Sequence, residues 1–184
     1  KWSTYQFEED TLNLIFSQFN NTQNRQHIFS RLLALNSIYS TELDTKKMII
    51  LADVLIDHTI GCNLSNYIPD IVDEIRTAYK ATYNYDPYSF ISKYFSHINE
   101  DAYPIFDWYV KTMLLWYKSK FEDFDFEISD LEHYDSFKAI IEDFIRVFEL
   151  NCSLRSADKF LWTAGKEFFP QYVYENLIEK YKPT

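Results

Sequence analysis

Asp107 is the residue whose type and position lend themselves most to chemistry. It follows Pro104 by three residues in AYPIFDWYVKTML (102–114), where an apolar run with helical spacing begins. A carboxylate there can steady the amide-rich end of its own helix by about 0.3–1 kcal/mol, or it can face a ligand. The bases Lys93, Lys111, Arg155, Lys159 and Lys166 are candidates for phosphate contacts, against a default of isolated surface charges. The four histidines are scattered, and His58, inside an apolar helix, reads as a core residue. Cys62 and Cys152 form no C-x-x-C pair and have no basic neighbour, so they read as packing residues. With no H-E-x-x-H either, no structural zinc or iron–sulfur site is expected, and no cofactor is implied.

The elements that must position these groups are helices. Leu12, Ile15, Phe16 and Phe19 stripe a helix over 7–19, and Ile28, Leu32, Leu35 and Tyr39 stripe another over 25–39. Asp44 or Thr45 caps a third, apolar over much of its circumference and so expected to be central, which stops at Gly61. A fourth runs from about Pro69 or Asp70 to Tyr79. Asp86-Pro87 reads as cap and first turn of a short helix, 88–98. Pro104 opens a long aromatic helix to Phe121, followed by helices over 134–150, 153–169 and about 171–181, with Pro170 halting the helix over 153–169. Weak alternation at 121–128 reads as an extended loop.

Composition narrows the classes. The chain has 184 residues, 47% hydrophobic and 19% aromatic, but Gly 2 and Pro 5. That length and core-forming fraction fit a single domain, or two lobes around one cleft with 44–103 largely forming one, and the helical spacing makes it an all-α bundle of eight to nine helices. Two glycines leave little room for hairpins or phosphate loops. No apolar run approaches the ~18 residues of a membrane span, and no segment reads as a signal peptide. A cytoplasmic, reducing setting is therefore expected. The net charge of −10 argues against coating nucleic acid by charge alone. Seven of those charges fall between Glu122 and Asp135, a stretch with no Lys or Arg. It reads as a solvated connection, with a phosphate-mimicking decoy or a dock for a basic protein as the alternatives.

An aspartate at a helix start, followed by an aromatic, a valine and a base, resembles the V-D-T-H-V-x-R segment of the helix-hairpin-helix DNA glycosylase superfamily. FSRLLALNSIYST (29–41) is similar to that family's early helix ending L-S-x-Q-T, and ADKFLWTAGKEFF (157–169) to its late helix with L-x-x-x-G. The resemblance implies a glycosylase-like all-α fold with Asp107 as the catalytic carboxylate, set against cationic character on a sugar. It also implies that Trp108, Tyr109, Tyr39 and Trp162 clamp an extruded base, with Lys93 and Lys111 as further ligand contacts. The departures are specific. No glycine lies between Gly61 and Gly165, so the L-P-G-V-G hairpin is missing. Tyr88 or Ser89 holds the place of the lysine nucleophile, with Lys93 just beyond, and cluster cysteines are absent. The resemblance therefore implies monofunctional excision of a modified base from DNA. The alternative is a non-catalytic binding protein of the same fold that takes a protein or a nucleobase-like ligand.

Overall fold

The computed structural model describes residues 2–41, 43–83 and 85–169. The protein is all-α. Among the described residues there are eight α-helices, one short 3-10 helix and no strand. None of these helices is long and apolar enough to cross a membrane. The chain divides into two compact units, Lys1–Tyr103 and Pro104–Thr184. The first includes the residues before 44 as well as 44–103.

The N-terminal unit holds α1 (Trp2–Gln18), α2 (Arg25–Tyr39), α3 (Thr45–Thr59), α4 (Ile71–Thr82) and α5 (Tyr88–Ser96). Asn24 starts α2 by accepting the His27 N–H, and Asp44 starts α3 by accepting the Lys47 N–H. Ser40, left-handed at φ 50°, ends α2, and Gly61, at φ 73°, follows α3. Asn36 clamps the α2–α3 loop: its Oδ1 accepts from Thr41 Oγ1 and Leu43 N, and its amide donates to the Leu43 carbonyl. The most enclosed helix is α5 rather than α3. All of its residues except Ser89 are buried, because apart from Lys93 the run YSFISKYFS carries aromatic, apolar or small groups around its circumference. Asp86 does not cap it. That carboxylate pairs with Arg76, whose guanidinium lies 3.6 Å over the Tyr88 ring, and Pro87 takes the cap position.

The C-terminal unit holds α6 (Trp108–Lys120), the 3-10 helix (Ile128–Glu132), α7 (Tyr134–Val147) and α8 (Leu154–Phe168). Here α6 begins at Trp108 and not at Pro104, for a visible reason. The Pro104 carbonyl accepts from the Tyr134 hydroxyl at 2.7 Å, and the Ile105 N–H donates to the buried Asp158 at 2.8 Å. Both backbone groups are taken by tertiary partners, so 104–107 stays outside the helix and Asp107, itself extended, becomes the cap. Gly165 lets α8 lie directly on α6, since a Cβ there would stand 2.8 Å from both the Cβ and the carbonyl oxygen of Tyr109. The acidic stretch is a connection anchored by Phe124 and Leu131, both buried, with most of its carboxylates exposed. The expected helix over 171–181 lies outside the described residues.

Candidate functional site

The residues singled out from sequence fall into both units. In the C-terminal unit, Asp107 Oδ1 accepts the Tyr109 N–H at 2.9 Å, the geometry of a helix cap. Trp108 and Tyr109 meet edge to face at 4.9 Å. The Lys166 ammonium lies 3.9 Å from the Trp162 ring centre and 6.0 Å from that of Tyr109, so α6 and α8 bring these three side chains together. The Lys111 N–H closes the first turn of α6 on the Asp107 carbonyl at 2.9 Å. A base stacking on Trp162 would compete with Lys166 for that ring.

In the N-terminal unit, Lys93 and Tyr39 meet. Lys93 is only 6% exposed; its ammonium donates to Ser89 Oγ and lies 5.2 Å from the Tyr39 ring centre. The Tyr39 hydroxyl is 3.1 Å from His97 Nε2, and His97 Nδ1 is 3.4 Å from Asn13 Oδ1. An amide oxygen can only accept. His97 therefore donates from Nδ1 to Asn13, and its Nε2, when the ring is neutral, accepts from Tyr39.

That relay ends at a pocket of about 470 Å³ lined by α1, α2 and the segments following α3 and α5. Among its lining residues is Arg31, only 3% exposed. One terminal nitrogen donates to the Phe16 carbonyl at 3.0 Å, another reaches the Tyr94 hydroxyl at 3.4 Å, and the guanidinium carbon lies 4.9 Å from the Phe16 ring centre. Its Nε–H is buried with no partner among the described residues. Burial raises the Tyr94 phenol above its ordinary pKa, although Arg31 pulls the other way. The other four arginines each pair with a carboxylate: Arg25 with Asp53, Arg76 with Asp73 and Asp86, Arg146 with Asp143, Arg155 with Asp158. Arg31, the most buried, pairs with none among the described residues.

Sequence reasoning passed over Arg31 although it stands inside FSRLLALNSIYST. The signal was present. Arg31 sits three residues after Ile28 and four before Leu35, so it belongs to the buried stripe of α2. A base on such a stripe needs a reason to be there.

The fold thus defines an all-α protein whose N-terminal unit carries a polar pocket. Over residues 1–102 the chain matches the HI_0787_N family, described as an N-terminal domain, and it belongs to that family. An uncharacterized protein of Haemophilus influenzae is 40% identical over 84 residues, which are 46% of this chain and 39% of that relative. The match therefore spans well under half of the relative's length. No solved structure matches the chain.

Proposed function

We propose that the protein is a non-catalytic helical binding module whose N-terminal unit holds a small polar ligand. One observation carries this reading: a pocket of about 470 Å³, within the common size range of ligand sites, is lined in part by a buried guanidinium without a carboxylate partner among the described residues. The helix-capping bond of Asp107 and the burial of Lys93 against Ser89 and Tyr39 support the same reading, since both have structural work. The free thiols Cys62 and Cys152 fit a reducing, cytoplasmic setting. Calorimetric titration of the full chain with inorganic phosphate, succinate, glucose and uracil is expected to give saturable binding of at least one of them. If all four leave the protein unbound at millimolar concentration, the module reading fails.

A second reading, excision of a modified base by a divergent glycosylase-like protein, is favoured by the grouping of Tyr109, Trp162 and Lys166 on the helices α6 and α8, where Asp107 heads α6. Oligonucleotides carrying a panel of modified bases, in single and double strands, test it directly. The module reading expects no base release from any of them.

A further inference from the structure

Resting on the binding-module reading, we infer that the pocket of the N-terminal unit is an oxyanion site, selecting a small carboxylate or phosphate monoester through Arg31. The argument begins with charge. Arg31 contributes a full positive charge that is almost entirely removed from water. Its Phe16 partner is one of the last carbonyls of α1, which ends at Gln18, so the guanidinium also meets the negative end of that helix. A helix C-terminus offers only about half a negative charge. None of the described residues lining the pocket is an Asp or Glu. In a chain with 28 acidic residues against 18 basic ones, a buried cation that meets none of the described ones is a place for an anion from outside.

Hydrogen-bonding capacity points the same way. Two lining side chains have their acceptor atoms occupied. Asn13 Oδ1 takes the His97 Nδ1–H, and Asn63 Oδ1 takes the Ser65 N–H at 3.1 Å. Each also carries an NH2 group, a donor that neither of these bonds uses. Amide donors around a buried cation complement an oxyanion, which accepts several charge-assisted bonds at once. A neutral acceptor would leave the charge unanswered. A water in the pocket would not neutralise Arg31.

The chain carries its own reporter. Cys62 lines the pocket, whereas Cys152 lies exposed in the other unit. The experiment titrates the full chain, at matched ionic strength in potassium chloride, with inorganic phosphate, glucose 6-phosphate, succinate, glucose and uracil. Iodoacetamide labelling at each cysteine is followed by mass spectrometry. At least one oxyanion is expected to bind and to slow alkylation of Cys62 at least threefold while leaving Cys152 unchanged. The phosphate and succinate arms tell which oxyanion is preferred. Asn13→Asp and Asn63→Asp change exposed residues, so the fold should persist, and each places a negative charge in the pocket. Each is expected to weaken oxyanion binding at least tenfold, as is Arg31→Met if that variant folds. Binding of glucose or uracil in preference to every anion overturns the oxyanion inference while the module reading stands. Oxyanion binding that is indifferent to both Asn→Asp changes, or that leaves Cys62 unprotected, overturns it as well. Silence from all five probes overturns both readings.

Discussion

Asn and Asp are nearly equivalent as helix caps, and that equivalence makes Asp107→Asn informative. As a cap, Asp107 loses little on amidation: folding should change by no more than a few tenths to ~1 kcal/mol, and Asp107→Ala should cost about 1 kcal/mol. Urea denaturation of both variants checks these values. If Asp107 instead faces a developing sugar cation, the same amidation removes the charge that matters and abolishes base release while ligand binding persists. Wild-type base release that disappears in Asp107→Asn would restore the glycosylase reading. The same residue shows how much of the site could be read from sequence. Its position near a helix start was legible, because Pro104 and the apolar run after it are local signals. That it is the cap itself, and not part of the first turn, was not legible. The Tyr134 hydroxyl and the Asp158 carboxylate hold residues 104 and 105 from 30 and 53 positions away.

At the scale of elements, local chemistry fixed most helix ends. The caps Asn24, Asp44 and Ser153 follow from side chains that bond within their own turn, and the stop near Gly61 from a left-handed backbone that glycine adopts freely. Contacts between elements were less legible. Gly165 lies in a segment noted for its L-x-x-x-G pattern, yet its function is steric: it brings α8 against the Tyr109 backbone of α6. A methyl group 2.8 Å from a carbonyl oxygen must push two helices apart. Gly165→Ala is therefore expected to destabilise the protein by about 1–3 kcal/mol despite better helix propensity, as overpacking outweighs a gain of up to ~1 kcal/mol. Equal or greater stability in urea would mean that the two helices are not in direct contact there. The acidic connection makes the opposite point. Asp123 and Glu127 are exposed, and their conversion to Asn and Gln should leave stability within about 0.5 kcal/mol. Phe124, 1% exposed between them, should cost about 3–5 kcal/mol when cut to Ala. Thermal and urea denaturation of these variants compare the two classes, and a costly Asp123→Asn would show that the carboxylates anchor the connection.

For the whole molecule, family membership and compactness agree on a boundary: the matched domain covers 1–102, and the first compact unit ends at Tyr103. The pocket belongs entirely to that domain, and no composition shift in the sequence marks its end. A property common to both units follows from the unusual tyrosine content. Burial raises the phenol pKa of Tyr79, Tyr85 and Tyr94 in the first unit and of Tyr117 in the second. For Tyr79 it reaches about 12, driven by burial first and then by the neighbouring Tyr83, Tyr85 and Asp44. An unfolded tyrosine ionises near pH 10. Where the folded value is higher, the native state keeps a proton that the unfolded state has released, so stability falls as pH rises. The contribution of these phenols is complete below about pH 10 and is lost as the pH climbs toward the raised values. The protein should therefore unfold between about pH 10 and 12, with helix loss by circular dichroism coinciding with a cooperative rise in tyrosinate absorbance, steeper than independent phenols titrating near pH 10 would give. Tyr79→Phe removes one such proton and leaves the packing ring in place. It forfeits one weak hydrogen bond, from Oη to the Lys47 carbonyl at 3.4 Å. That variant should be a little less stable at neutral pH, yet hold its structure to higher alkalinity relative to that starting point. Tyrosinate signal that appears fully near pH 10, before any helix is lost, would show that these rings meet solvent in the native protein and that burial does not govern them.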